Sequence, residues 1–337
     1  MLSKKINFLG TIALFITLVL AGYILVSSGS RRLTDMHRVG IISGAETFDN
    51  IAVGFKAKMC EFGYLEGINI SYDFQRPNAN HAGIELAIRK FVDDKVDLIF
   101  AFPTEPALAA KAATKGTDIP VVFALAGIEG TNLVDSILKP GGNITGVRFP
   151  GPEITSKRLE ILKELMPGAK HVYLIYDPTY PNASASLDSL YKAALELDMT
   201  LVEDAVSDIQ QVRDALRKRA ALDDIGVDAI FIMPEMLTQT PECFEIIVKF
   251  ANEHNIPIAG GMPYTTKHGA LFSVAPDNVE MGELAAYLVD GIFKGASPGR
   301  MMVVTPPPSL WFNYNVAQRM GLEVHEGLLS GADVIIR

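Results

Sequence analysis

Val96-Asp97-Leu98-Ile99-Phe100-Ala101-Phe102 is a short apolar run with one acid near its start, and Val227-Asp228-Ala229-Ile230-Phe231-Ile232 reads almost the same. Runs of this length fit strands buried on both faces of a parallel sheet. The surroundings repeat too. Ile119-Pro120-Val121-Val122 follows the first copy, and Ile256-Pro257-Ile258-Ala259 follows the second. Val39-Gly40-Ile41-Ile42 precedes the first, and Val172-Tyr173-Leu174-Ile175 precedes the second. The matches share an offset of roughly 130–140 residues, too long for a solenoid and right for a domain. The sequence therefore predicts an α/β protein of two similar Rossmann-like lobes, each with a parallel sheet.

Helical patterns lie between the strands. Ile51, Phe55, Met59 and Phe62 recur at helical spacing, and Gly63 is placed to end that helix in the left-handed conformation. Ile68, Ile70, Tyr72 and Phe74 alternate with polar residues, as in a strand with one exposed face. Thr104 is placed to cap a helix with Pro106 in its first turn. Strands alternating with helices imply a sheet covered on both sides. Pro140-Gly141-Gly142-Asn143-Ile144-Thr145-Gly146 lacks the lysine of a phosphate-binding loop and reads as a turn or a crossover between lobes. Pro306-Pro307-Pro308 reads as a second, extended connector.

The 337 residues carry a net charge of −9, which gives no footprint for nucleic acid. Cys60 and Cys243 fall in helical patterns and read as buried or half-buried thiols. The six histidines are scattered without metal-ligand spacing, so neither a metal nor another cofactor is expected. No Gly-x-Gly-x-x-Gly or Gly-x-Ser-x-Gly follows a strand, which speaks against a Rossmann-type enzyme. At the start, Lys4 and Lys5 precede an apolar run over residues 6–26. That run is long enough to cross a bilayer as a hydrophobic helix. Ser28 and Ser30 also suit a signal peptidase, so residues 1–38 read as a membrane anchor or a cleaved signal with its linker. Either places the body in the periplasm or at the cell surface.

Further stretches carry a resemblance. They include Gly54-Phe55-Lys56, Phe62-Gly63-Tyr64-Leu65-Glu66-Gly67-Ile68 and Lys157-Arg158-Leu159-Glu160-Ile161-Leu162-Lys163-Glu164-Leu165-Met166-Pro167-Gly168-Ala169. Asn315, Ala317, Gly321 and Leu322 fit at the far end. From Val39 onward the chain resembles ABC-transporter substrate-binding proteins of the tryptophan/tyrosine-binding type. The resemblance implies the type I periplasmic-binding-protein fold. Lobe 1 would hold residues 39–148 plus about 275–306, and lobe 2 residues 149–274 plus about 307–337, the chain crossing three times. It implies a protein that catalyses nothing and closes on a small-molecule ligand, such as an aromatic amino acid. Its partners would be an ABC permease and its ATPase, with the membrane added if the N-terminal helix is uncleaved. The alternative is a tethered sensor signalling to a kinase or cyclase. The chain departs from the family at Ala124-Leu125-Ala126-Gly127, where relatives often carry Asp and Pro, and at Ala183, where Ser is frequent.

Ligands of open α/β sheets bind beyond the carboxyl ends of the strands. That points to the loops at residues 43–49, 103–106, 177–182, 234–238 and 260–264. Ser43 and Thr47 offer hydrogen bonds, and Phe48 offers a ring to stack on. Thr104 and Glu105 open a helix whose N–H groups suit a carboxylate. Asp177 either pairs with an ammonium or caps a helix, while Tyr180 offers a ring with a hydroxyl and Asn182 an amide. Glu235 is a second cation partner or a solvated charge, and Gly261 permits close backbone approach. Asp277 reads as a ligand contact or a hinge cap, and Trp311, the sole tryptophan, as structural.

Overall fold

The computed structural model describes residues 36–78 and 80–337, so the apolar run at residues 6–26 lies outside the described residues. The first sheet holds β1 (His37–Ser43), β2 (Ile70–Gln75), β3 (Leu98–Phe102), β4 (Val121–Ala126) and β5 (Ile144–Arg148). Its order is β2-β1-β3-β4-β5, with every pairing parallel. The connecting helices are α1 (Asn50–Glu61), α2 (His81–Asp93) and α3 (Thr104–Ala113). The chain then passes through α4 (Gly151–Leu165) into the second sheet. That sheet holds β6 (His171–Tyr176), β7 (Thr200–Ala205), β8 (Ala229–Phe231), β9 (Ile258–Gly260), β10 (Phe272–Ala275), β11 (Ser309–Asn313) and β12 (Val334–Ile336). Its order is β12-β11-β10-β9-β8-β6-β7, and only the β10–β11 pairing is antiparallel. The remaining helices are α5 (Ala183–Glu196), α6 (Ile209–Ala220), α7 (Pro241–Glu253), α8 (Pro263–Lys267), α9 (Asn278–Phe293), α10 (Tyr314–Arg319) and α11 (Glu326–Ser330).

The first five strands of each sheet follow the same winding, which is the structural form of the internal repeat. The repeated acid has one task in both lobes. Asp97 accepts from the Arg38 backbone N–H at 2.7 Å. Asp228 accepts from Lys170 and His171 at 2.7 and 2.8 Å. Each ties off donors at the start of the neighbouring first strand, just before its pairing with β3 or β8 begins. The apolar residues after each acid are fully buried, as expected of central parallel strands.

α9 does not pack on the sheet that precedes it. It lies against α1 and reaches β4 and β5, back in the first lobe. The two helices approach at glycine. A Cβ on Gly54 would sit 2.0 Å from the Val279 carbonyl oxygen, and one on Gly282 would sit 2.0 Å from that of Ile51. Val304 then bridges to Val147 beside β5 before the chain leaves for β11. The chain thus passes between lobes after β5, after β10 and after Val304. Arg148, at the end of β5, donates Nε to Thr305 Oγ1 at 2.9 Å and pairs with Glu129 and Glu153. The first and third crossings are therefore tied together.

Some local expectations need correction. Pro103 rather than Thr104 precedes α3, and the Thr104 hydroxyl accepts from the Gly127 N–H at 3.0 Å instead of capping. Of the two readings of the glycine-rich stretch at 140–146 the turn holds: it leads into β5, with Gly141 and Gly142 at positive φ. Cys60 is exposed and Cys243 buried, both free. Gly63 does end α1 in the left-handed conformation, at φ 91°.

Because backbone cannot yield as a side-chain tip does, Gly282→Ala should push α9 off α1. We expect a loss of roughly 1–3 kcal/mol in unfolding free energy, measured by urea denaturation. An unchanged midpoint would mean the helices are not in backbone contact.

Candidate functional site

The loops beyond the carboxyl ends of the two sheets meet in a cleft. Its centre is an inner cavity of about 30 Å³ whose walls include Phe48, Thr104, Phe149, Tyr180, Glu235 and Gln239. One water needs on the order of 10–15 Å³, so these walls nearly touch. Beside it lies an outer chamber of about 380 Å³, with Glu46, Thr47, Lys267, Asp277, Asn278 and Trp311 in its walls. Phe48 faces the inner cavity and Thr47 the outer one, as do Met262 and Pro263. Phe48 and Met262 thus form the partition.

The inner walls hold the lobes against each other. The Asn182 amide from the second lobe lies so close to Gly127 of the first that a Cβ there would be 2.4 Å from Asn182 Nδ2. Tyr180 is buried against Thr104; burial pushes its phenol above the ordinary range, opposed by the Thr104 hydroxyl and backbone N–H. Asn182 Oδ1 and Gln239 Oε1 are buried without a hydrogen-bond partner. An unpartnered buried acceptor is costly, on the order of 1–3 kcal/mol.

Glu235 is buried in the same wall. It accepts from the Leu237 and Thr238 N–H groups at 2.5 and 3.0 Å and from the Thr238 hydroxyl. Burial still pushes its carboxyl up to about 7. Beneath it, Arg158 on α4 is only 1% exposed. Its guanidinium donates to the Ile232 and Gly260 carbonyls at 2.5 and 3.0 Å and stacks 4.1 Å from the Phe231 ring centre. These carbonyls lie at the ends of β8 and β9, so Arg158 clamps the roots of the loops that carry Glu235, Gln239 and Met262. Burial lowers its pKa to about 9.

The sequence candidates separate into three groups. Phe48, Thr104, Tyr180, Asn182 and Glu235 line the inner cavity. Thr47 and Asp277 line the outer chamber; Asp277 also caps α9, accepting from Val279 and Glu280 at 2.8 and 3.0 Å. The others sit behind the walls. Ser43 Oγ bonds within its own loop, to Ala45 O and Asp49 Oδ1 at 2.9 and 2.8 Å. Asp177 accepts from the Thr179 N–H at 2.8 Å and closes a turn. Glu105 is half-buried on α3, and burial raises its pKa. Gly261 is overlain by Gln239, whose Nε2 would be 2.6 Å from an added Cβ. Sequence reasoning missed Gln239, Phe149, Met262, Lys267 and Arg158. Arg158 stands inside the motif that carried the resemblance; the others have no signal apart from their place near strand ends.

Two doubly wound lobes that meet at their carboxyl edges around a buried aromatic and polar cleft define a two-lobed solute-binding protein of the type I periplasmic-binding fold. The chain belongs to the ABC transporter substrate binding protein family, which matches residues 39–336; this is a solute-binding family and not one of enzymes. It is 31% identical over 285 residues to a tyrosine-binding protein of Clostridioides difficile (strain R20291), across 83% of this chain and 80% of that one. It superposes on a conserved domain protein from Vibrio cholerae with a TM-score of 0.81 at 26% identity, covering 89% of this chain and 100% of the other. It also superposes on an ABC domain in complex with L-Trp from Streptococcus pneumonia, at 0.81 and 23% identity, covering 90% and 100%. Against a ligand-free, open substrate binding protein from Clostridium difficile the score is 0.67 at 24% identity, covering 89% and 99%.

The Glu235 carboxyl gives a pH signature. A group whose pKa rises on folding adds stability at low pH, and that contribution is lost as pH climbs from 4.5 toward about 7. Wild-type protein should lose on the order of 3 kcal/mol across that window through this group. Glu235→Gln should abolish that slope in urea denaturation compared at about pH 5 and about pH 8. Equal slopes in both proteins would show that Glu235 is ionised throughout.

Proposed function

We propose that this protein captures an amino acid with an aromatic side chain outside the cytoplasm and delivers it to an ABC permease and its ATPase. The observation that carries this reading is the pairing of two unpartnered acceptors, Asn182 Oδ1 and Gln239 Oε1, with the rings of Phe48, Phe149 and Tyr180 around one buried cavity. Rings bury area against rings, and the acceptors fix orientation. The ligands named for the relatives, tyrosine and L-Trp, support the same class. The apolar run at residues 6–26 serves as anchor or export signal in this reading.

The moving bodies are residues 39–148 with about 275–306, and residues 149–274 with about 307–337, hinged at the three crossings. Closing without a ligand strands acceptors in the cleft, whereas closing on a ligand pairs them. A difference of about 5.5 kcal/mol between the states moves the population from roughly 1:99 to 99:1. A few charge-assisted hydrogen bonds at about 1.5–3 kcal/mol each supply it.

Thermal-shift screening against the amino acids should single out aromatic ones. A ligand at about 100 times its Kd should add roughly 2.7 kcal/mol of stability. Small-angle scattering should show compaction with the same ligand. If no amino acid raises the melting temperature, the reading is wrong. Within it, Asn182→Ala should weaken binding by about 1–3 kcal/mol in calorimetry.

A further inference from the structure

The two compartments of the cleft differ in charge. Among the described residues, no lysine or arginine lines the inner cavity, while the acid Glu235 does. Asn182 Oδ1 and Gln239 Oε1 there are unpartnered acceptors, each carried beside its own amide NH2 donor. The start of α3 is closed to a carboxylate as well. Tyr180 sits at the Thr104 N–H, the Thr104 hydroxyl serves Gly127, and Glu105 puts an acid in the first turn. A carboxylate brought here would meet the Glu235 carboxyl and no cation, and burying it without one is strongly unfavourable. A neutral O–H or N–H is what the two amide oxygens match.

The outer chamber has the opposite make-up. Lys267, from the second lobe, lies with Nζ 4.9 Å from the Trp311 ring centre and is exposed to the chamber's solvent. Glu46 and Asp277 stand in the wall given by the first lobe. Thr47 Oγ1 and Trp311 Nε1, in the same walls, are buried without a partner. A zwitterion placed here would find a cation for its carboxylate on one lobe and acids for its ammonium on the other. It would thereby tie the lobes together.

We propose, on the amino-acid reading above, that the ligand binds head outward. Its α-carboxylate lies beside Lys267 and its α-ammonium beside Asp277 and Glu46. Because the inner walls nearly touch as they stand, the lobes part to admit its side chain past the Phe48–Met262 partition, where Asn182 and Gln239 accept from a donor on the ring. The site therefore selects a phenol or an indole over a bare phenyl, because a phenyl leaves both acceptors unpaired.

Calorimetry with L-tyrosine, L-phenylalanine and tyramine tests this on the wild-type protein and on Lys267→Gln and Gln239→Leu. Lys267 is exposed, so its substitution leaves the fold intact. Wild type should bind L-tyrosine about tenfold or more tighter than L-phenylalanine. Lys267→Gln should weaken L-tyrosine about tenfold while leaving tyramine, which has no carboxylate, unchanged. Gln239→Leu should narrow the gap between L-tyrosine and L-phenylalanine. Emission from Trp311, the only tryptophan, should change when L-tyrosine binds to wild type. Equal affinity for L-tyrosine and L-phenylalanine overturns the selection. Lys267→Gln acting equally on L-tyrosine and tyramine, or on neither, overturns the orientation while the amino-acid reading stands. If none of the three ligands binds the folded wild type, that reading falls and this orientation falls with it.

Discussion

Two glycines set the architecture. Gly54 and Gly282 let α1 and α9 touch backbone to backbone, with a carbonyl oxygen where each Cβ would otherwise stand. That contact returns a segment that follows the second sheet to the first lobe. Once it is made, the chain has to cross between the lobes again to finish β11 and β12. Arg148 then ties the first crossing to Thr305 at the third. Segments bound together in this way favour rotation about one line over independent drift of the two bodies.

The cleft combines rigid and unsatisfied parts. Arg158 holds the ends of β8 and β9, and Glu235 is satisfied by its own loop. Their bonds are internal to one lobe, so they keep the wall in shape whether the lobes are together or apart. The amide oxygens of Asn182 and Gln239 have no such internal partner. A frame whose bonds lie within one lobe, carrying contacts that are incomplete by themselves, suits a protein whose task is to hold a guest.

Much of the frame was readable because it repeats. The acid at Asp97 and again at Asp228, followed by apolar strand residues, has a single backbone task in each lobe, and such a task leaves the same letters twice. Site residues were less readable. Phe48, Thr104, Tyr180, Asn182 and Glu235 were within reach because they directly follow strands, where α/β ligands bind. Asp177 and Ser43 satisfy the same rule and yet turn inward to bond their own loops. A short polar side chain after a strand serves a turn as readily as a ligand. Lys267 and Gln239 gave no pattern at all, since a lone lysine or glutamine near a helix end is ordinary surface sequence.

The sequence by itself determined the α/β class, the doubled lobe, the net negative charge and the apolar N-terminal run, because periodicity, repetition and composition act locally along the chain. Only the tertiary structure decided which loop ends line which compartment, and that a cation and acids share the outer chamber while the inner one has an acid and, among the described residues, no lysine or arginine. Those outcomes depend on which distant segments come within a few ångströms of one another, and that is fixed by packing between lobes.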